Sequence, residues 1–156
     1  VINKNPSIKW KVDHDSDELY TVLPKSEWKN QNCAKGKLVV DGSSLPFFMD
    51  LKKWKIDDYK RQWKEGLKRL NNHNESCLLM NVYETNGNPA ISWCLIYKID
   101  NYLFIRLRHI LGEDYKYTVG DKPFTPDTCY DFIPPRQTHE DDGEEIPEAI
   151  IPYEKF

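Results

Sequence analysis

The stretch from Ile56 to Leu70, IDDYKRQWKEGLKRL, limits what this chain can fold into more than any other. Ile56, Tyr59, Trp63, Leu67 and Leu70 recur three or four residues apart, which at 3.6 residues per turn aligns them as one stripe. The spacing therefore predicts one amphipathic helix over about 56–71. Asp57 and Asp58 at its start and Lys68 and Arg69 at its end oppose the macrodipole, and Asn71-Asn72 supplies a stop. Burying five large apolar side chains contributes about 8 to 15 kcal/mol gross, at roughly 1.5 to 3 kcal/mol each, before chain entropy is subtracted. A flat apolar surface has to receive that stripe. Gly66 interrupts it at a cost of about 1 kcal/mol against Ala, which points to a neighbouring backbone passing close.

The rest of the chain offers that surface as strands. IKWKV and LYTVL near the start and KLVVDG at 37–42 read as short strands. PKSEWKNQNCAK, 24–35, reads as a loop or one short helix, and SSLPFFMDLKKW as an irregular apolar lead-in whose Phe47, Phe48, Met49 and Leu51 pack beside the helix. After the helix the period falls to two. SCLLMNVYE (76–84) places Leu78, Met80 and Val82 on one face, and AISWCLIYKI (90–99) places Ile91, Trp93, Leu95, Tyr97 and Ile99 on one side. Asn86-Gly87 between them is a hairpin signal. In YLFIRLRHI (102–110), Leu103, Ile105 and Leu107 alternate with Phe104, Arg106 and Arg108, the mark of one buried and one wet face. YKYTV (115–119) and TCYDFI read as further strands. The predicted fold class is α+β, an antiparallel meander packed against one principal helix, and 156 residues suffice for a single domain over 1–156.

Composition shifts at about residue 121. Six of the ten prolines lie between Pro123 and Pro152, which favours an extended path over a helix. From Arg136 to Phe156, seven carboxylates face Arg136 and Lys155, a net of −5; the overall −3 therefore leaves +2 for the remainder. The predicted course of 121–156 is an extended segment draped on the sheet through Ile146, Ile150, Ile151, Tyr153 and Phe156. Charge is segregated, and two acidic groups stand out as candidate contact sites for a cationic partner: Asp13, Asp15, Asp17 and Glu18, then Glu140, Asp141, Asp142, Glu144, Glu145 and Glu148. The bland alternative is a solubilising surface.

Other chemistries find little support in the sequence. The four histidines are scattered, without HExxH or CxxC, and no GxSxG, GxGxxG or GxxxxGK[ST] occurs, so no cofactor, metal or catalytic residue is predicted. Cys33, Cys77, Cys94 and Cys129 are spaced by 44, 17 and 35 residues and read as reduced, buried hydrophobes. The basic helix side (Lys60, Arg61, Lys64, Lys68 and Arg69) could grip single-stranded RNA, but a pI near 5.8 argues against a polyanion partner. VINKNPSIKW lacks the apolar run of a signal peptide and no window approaches 18 apolar residues, so a cytoplasmic protein without membrane contact is expected.

Trp54, Ile56-Asp57-Asp58-Tyr59, Gln62-Trp63-x-Glu65-Gly66-Leu67-x-Arg69-Leu70, Cys77-Leu78 and the later Tyr130-x-Phe132-Ile133-Pro134-Pro135-Arg136 together resemble immunity proteins of bacterial contact-dependent growth inhibition systems. The resemblance implies a non-enzymatic cytoplasmic inhibitor, monomeric when free. It would bind one to one and block the C-terminal toxin domain delivered by a neighbouring cell, often an RNase-like or EndoU-like nuclease. The matching residues are scaffold, so the resemblance carries over no toxin-contacting residue; the acidic candidates rest on charge segregation. Two rival expectations are a small hydrolase using a cysteine or histidine and, from the basic helix side, an RNA-associated domain.

Overall fold

The fold was obtained as a computed structural model, which describes residues 8–12, 33–40 and 43–153. LYTVL, most of PKSEWKNQNCAK, Phe156 and the first acidic group, Asp13, Asp15, Asp17 and Glu18, lie outside the described residues. Among the described residues, two antiparallel sheets and two α-helices make the architecture α+β. The first sheet has the order β1 (Ile8–Val12), β2 (Cys33–Val40), β3 (Ser43–Asp50). The second has the order β4 (Glu75–Thr85), β5 (Asn88–Ile99), β6 (Tyr102–Leu111), β7 (Ala149–Pro152).

In the first sheet, Ala34, Gly36 and Leu38 face Met49, Phe47 and Leu45. Phe47 lies across Gly36, where an added Cβ would stand 2.7 Å from the ring, and its own ring meets Trp63 edge-on at 6.3 Å. SSLPFFMD is thus a paired strand rather than an irregular lead-in, and Cys33–Lys35 belongs to β2 rather than to a loop or helix, because alternation of Ala34 and Leu38 against Met49 gives both runs a buried face. Phe48 points away and is 58% exposed.

The β4–β5 hairpin turns at Asn86 (φ +52) and Gly87 (φ +79), the left-handed pair that a two-residue hairpin requires. A register shift between Leu79 and Asn81 marks a bulge. It puts Leu78 opposite Cys94 but Val82 opposite Ile91, so Leu78 and Val82 occupy different faces, contrary to the simple alternation expected of that run. β5 is central and buried on both faces from Ala90 to Tyr97.

The amphipathic stretch forms α1 (Ile56–Arg69), opened by Asp58 Oδ2 accepting the Lys55 N–H at 2.9 Å. Its buried side is Tyr59, Gln62, Trp63 and Gly66, closed by Leu70. The helix addresses the outer edge of β4 with polar atoms rather than only laying a stripe on a sheet face. Gln62 donates to Cys77 O and accepts from Leu79 N, both at 2.8 Å. Trp63 Nε1 donates to Leu79 O at 2.6 Å, and Tyr59 Oη accepts from Val82 N while donating to Asp50 O, both at 2.8 Å. Ser76 Oγ returns a bond to Gly66 O at 2.6 Å. An edge strand's unpaired backbone groups are costly when buried, and these side chains satisfy them. Gly66 permits the approach, since a Cβ there would sit 2.5 Å from Cys77 O.

The chain after β6 departs from the sequence reading in two places. YKYTV supplies the end of a second helix, α2 (Gly112–Thr118), and its C-cap Val119, rather than a strand; no residue of α2 is fully buried and only Val119 enters the core, so the run lacks the alternating burial that would favour a strand. TCYDFI contains a short 3-10 turn over Cys129–Phe132, led into by Thr125 and Thr128, whose hydroxyls each accept the other's backbone N–H. Residues 124–137 then cross the face of the second sheet that carries Trp93 and Tyr97. Phe124 meets Trp54, Trp93 and Phe132 at ring distances of 5.6–6.0 Å, and Tyr97 Oη donates to Pro134 O at 2.7 Å. β7 pairs with β6, where Ile151 is buried while Ile150 is 48% exposed. No helix among the described residues is long and apolar enough to cross a membrane.

Candidate partner-binding surface

The face of β6 expected to be wet is covered. Arg106, on the same face as Phe104 and Arg108, is 4% exposed and directs Nε and Nη2 to Glu148 Oε2 at 3.1 and 2.5 Å. Arg136 adds a two-pronged contact to Glu148, at 3.1 and 2.7 Å, and lies over the Phe104 ring at 4.5 Å. Arg106 in turn lies 5.4 Å from the Tyr97 ring centre. Burial alone would raise the Glu148 carboxyl; hydrogen bonds from Arg136 and Arg106 outweigh it and hold the group below the ordinary glutamate range. Glu140 is held low by its hydrogen bonds from Arg108.

These pairings anchor a tight acidic turn. Glu140 N donates to Glu144 O at 2.7 Å, Gly143 N to Glu140 O at 3.0 Å and Ile146 N to Thr138 O at 3.1 Å, with Gly143 at φ +89. Ile146 is buried beneath it. Asp141, Asp142, Glu144 and Glu145 are all exposed and form no ion pair with any described residue; Asp142 Oδ1 only accepts the Glu144 N–H. Of the six carboxylates singled out in this part of the sequence, the structure therefore gathers Glu140, Asp141, Asp142, Glu144 and Glu145 at one tip. It withdraws Glu148, whose side chain is 11% exposed, into the ion cluster.

Sequence reasoning missed the cavity beside this tip. It holds about 370 Å³, is floored by Trp93, Leu95 and Tyr97, and is walled by Arg106, Arg108 and Gln137. Tyr117 of α2 stands at its rim, 88% exposed. The clue in the sequence was the pair of arginines alternating with apolar residues in a strand followed by a proline-rich cover.

The rival chemistries fare as follows. Cys77, Cys94 and Cys129 are buried and all four cysteines are free thiols; Cys77 and Cys129 approach to 3.8 Å. Burial pushes the Cys94 thiol up to about 12 and raises Cys77 well above its usual value, the reverse of an activated nucleophile. His109 Nδ1 lies 2.7 Å from Ser92 Oγ, a cross-strand pair for which no orienting carboxylate is found among the described residues. No three His, Cys, Asp or Glu of the described residues converge as metal ligands. On the basic helix side, Arg61 pairs with Asp127 at the surface and Arg69 covers the Tyr130 ring.

The fold recurs in a chain of a solved toxin and immunity complex. The structure is similar to a chain of the CdiA-CT/CdiI toxin and immunity complex from Enterobacter cloacae, with a TM-score of 0.64 over 96% of this chain and 91% of that one; at 24% identity the likeness speaks for the fold. A relative named Immunity protein CdiI, from Enterobacter cloacae subsp. cloacae, is 28% identical over 112 residues, 71% of this chain and 73% of its own length. The sequence model of the CdiI N-terminal domain matches residues 49–155, from the end of β3 through the acidic turn and β7, and the chain belongs to that family, the immunity proteins of contact-dependent growth inhibition.

Proposed function

We propose that this chain, as one immunity unit over 1–156, neutralises the C-terminal toxin domain of its cognate CdiA-type effector. It does so in the cytoplasm of the producing cell by forming a one-to-one complex, without turnover. The family match across the anchored acidic turn carries the reading. The toxin partner in the similar complex from Enterobacter cloacae supports it. Five carboxylates held on a rigid turn suit a basic partner surface such as a nuclease groove, because fixed charges of one sign steer association without an ordering cost on contact. Asp141, Asp142, Glu144, Glu145 and Glu140 are the contact residues of this reading. Asp13, Asp15, Asp17 and Glu18 are a second group of contact residues in this reading, and Glu148 serves as anchor.

The test is association with the purified toxin domain across a salt series. Wild-type protein should bind one to one with an on-rate that falls steeply with salt. Reversing Asp141, Asp142, Glu144 and Glu145 to Lys together should slow association about 10-fold or more and flatten the salt dependence. An unchanged on-rate refutes the acidic tip, and absence of a complex refutes the function. Reversal of Asp13, Asp15, Asp17 and Glu18 tests the second group separately. The hydrolase alternative requires that a single Cys→Ser variant fold normally yet lose protection.

A further inference from the structure

The ion cluster behind the acidic turn is unbalanced toward the interior. Three guanidiniums, Arg106, Arg108 and Arg136, share two carboxylates, Glu140 and Glu148. Arg106 is almost wholly buried, yet Nη1 has no acceptor among the described residues, and Arg108 uses Nη1 and Nη2 on Glu140 but not Nε. Both side chains line the 370 Å³ cavity. So does Trp93, fully buried, whose indole N–H has no acceptor among the described residues and serves as a reporter beside the site. The further carboxylate on the wall, Asp114, sits on the exposed side of α2. The cavity is thus donor-rich and positive within, negative at its mouth, and floored by two aromatic rings and a leucine. Arg106 and Arg108 are each bonded to a carboxylate yet keep an N–H for a second one, and a guanidinium on the wall of a recessed, partly apolar cavity attracts an entering anion more strongly than it would on open surface.

We propose that this cavity is a carboxylate-binding site, which takes a carboxylate attached to a flat apolar body with the charge directed to Arg106 and Arg108 and the body over the floor of which Trp93 is part. Such a group comes either from an acidic segment of the toxin or from a free aromatic carboxylate. Only the first of these sources rests on the toxin-binding reading; the site itself does not. A cavity of this volume is at the lower end of those that bury small ligands, which fits a single ring or side chain.

Titration of the 15N-labelled free protein with sodium benzoate, following the indole N–H resonance of Trp93, reads the site directly. Benzoate should shift that resonance saturably with a Kd on the order of 1 mM, while benzamide, neutral and of the same shape, should shift it less than about a tenth as far at equal concentration. Arg108→Gln should weaken benzoate about tenfold, and Gln137→Glu, an exposed change that spares the fold, should weaken it comparably by placing a like charge on the wall. Equal response to benzoate and benzamide, no response to either, or full affinity in both variants would overturn the proposal. Repeating the titration with saturating toxin domain separates the sources. A Trp93 resonance already displaced and insensitive to benzoate assigns the carboxylate to the toxin; unchanged benzoate binding in the complex assigns it to a free compound. Failure of the toxin to bind leaves the titration of the free chain readable.

Discussion

Replacing Gly66 by Ala sets two effects of known size against each other. In an exposed helix interior the change would stabilise by about 1 kcal/mol, because Ala loses less backbone entropy than Gly. Here the new methyl would lie 2.5 Å from Cys77 O, 2.8 Å from Leu78 Cδ2 and 3.1 Å from Gln62 Nε2. Leu78 can rotate, but the Cys77 carbonyl belongs to a strand paired along its length with β5 and cannot retreat. Reaching even 3.0 Å requires α1 to move about half an ångström from β4. That displacement stretches four buried bonds now at 2.6–2.8 Å: Ser76 Oγ to Gly66 O, Gln62 to both Cys77 O and Leu79 N, and Trp63 Nε1 to Leu79 O. If two of the four are lost, at about 1 to 3 kcal/mol for each buried group left unsatisfied, the loss outweighs the propensity gain by roughly 1 to 5 kcal/mol. For a chain of this size, a central value of about 3 kcal/mol corresponds to a melting temperature lower by about 6 to 12 °C. Urea unfolding of G66A beside wild type, with thermal melts as a second readout, measures it. A variant as stable as wild type, or more stable, would refute the claim that the helix is pressed against the β4 backbone.

Tyr59→Phe should cost about 1 to 3 kcal/mol in the same unfolding assay, since Val82 N and Asp50 O both lose the hydroxyl between them. The Glu148 carboxyl is depressed in the folded state, so its contribution is present above the unfolded value of about 4.3 and lost as pH falls through the folded value; Glu148→Gln should remove that part of the acid dependence between pH 5 and about 2, read from urea midpoints at a series of pH values. Brief treatment of the native protein with a maleimide should modify Cys33, which is partly exposed, well before the buried Cys77, Cys94 and Cys129, as read by peptide mass spectrometry; equal labelling would contradict the burial described for those three.

How much of this was legible in the sequence depended on whether a pattern was local. The period of Ile56–Leu70, the alternation in β5 and β6 and the Asn86-Gly87 turn are short-range signals, and each element stands where the pattern put it. Gly66 was legible too, as a residue that a close backbone would require. Gln62 was not: a polar residue between Tyr59 and Trp63 looks like the edge of the apolar stripe until a strand with unsatisfied carbonyls is placed beside it. YKYTV has strand-like residues but closes α2, and only Val119, past the end of the helix, is buried. Arg106 and Arg108 were read as solvated because their partners Glu148 and Glu140 lie 42 and 32 residues further along, and no local pattern reports that they will meet. The same distance effect divided the acidic candidates: Glu148 differs from Asp141 in environment, not in chemistry.

The way α1 meets β4 decides how the protein fails as well as how it folds. A helix that merely shields a strand can slide and still shield it, whereas here three particular atoms groups, an amide, an indole and a phenol, fill the places of a missing neighbouring strand. Loss of any one opens one or two main-chain positions on the edge of β4, and loss of the whole contact opens a row of them, which is a template for a second copy of the chain. Damaged forms of this protein should therefore be lost to self-association before they are lost to unfolding.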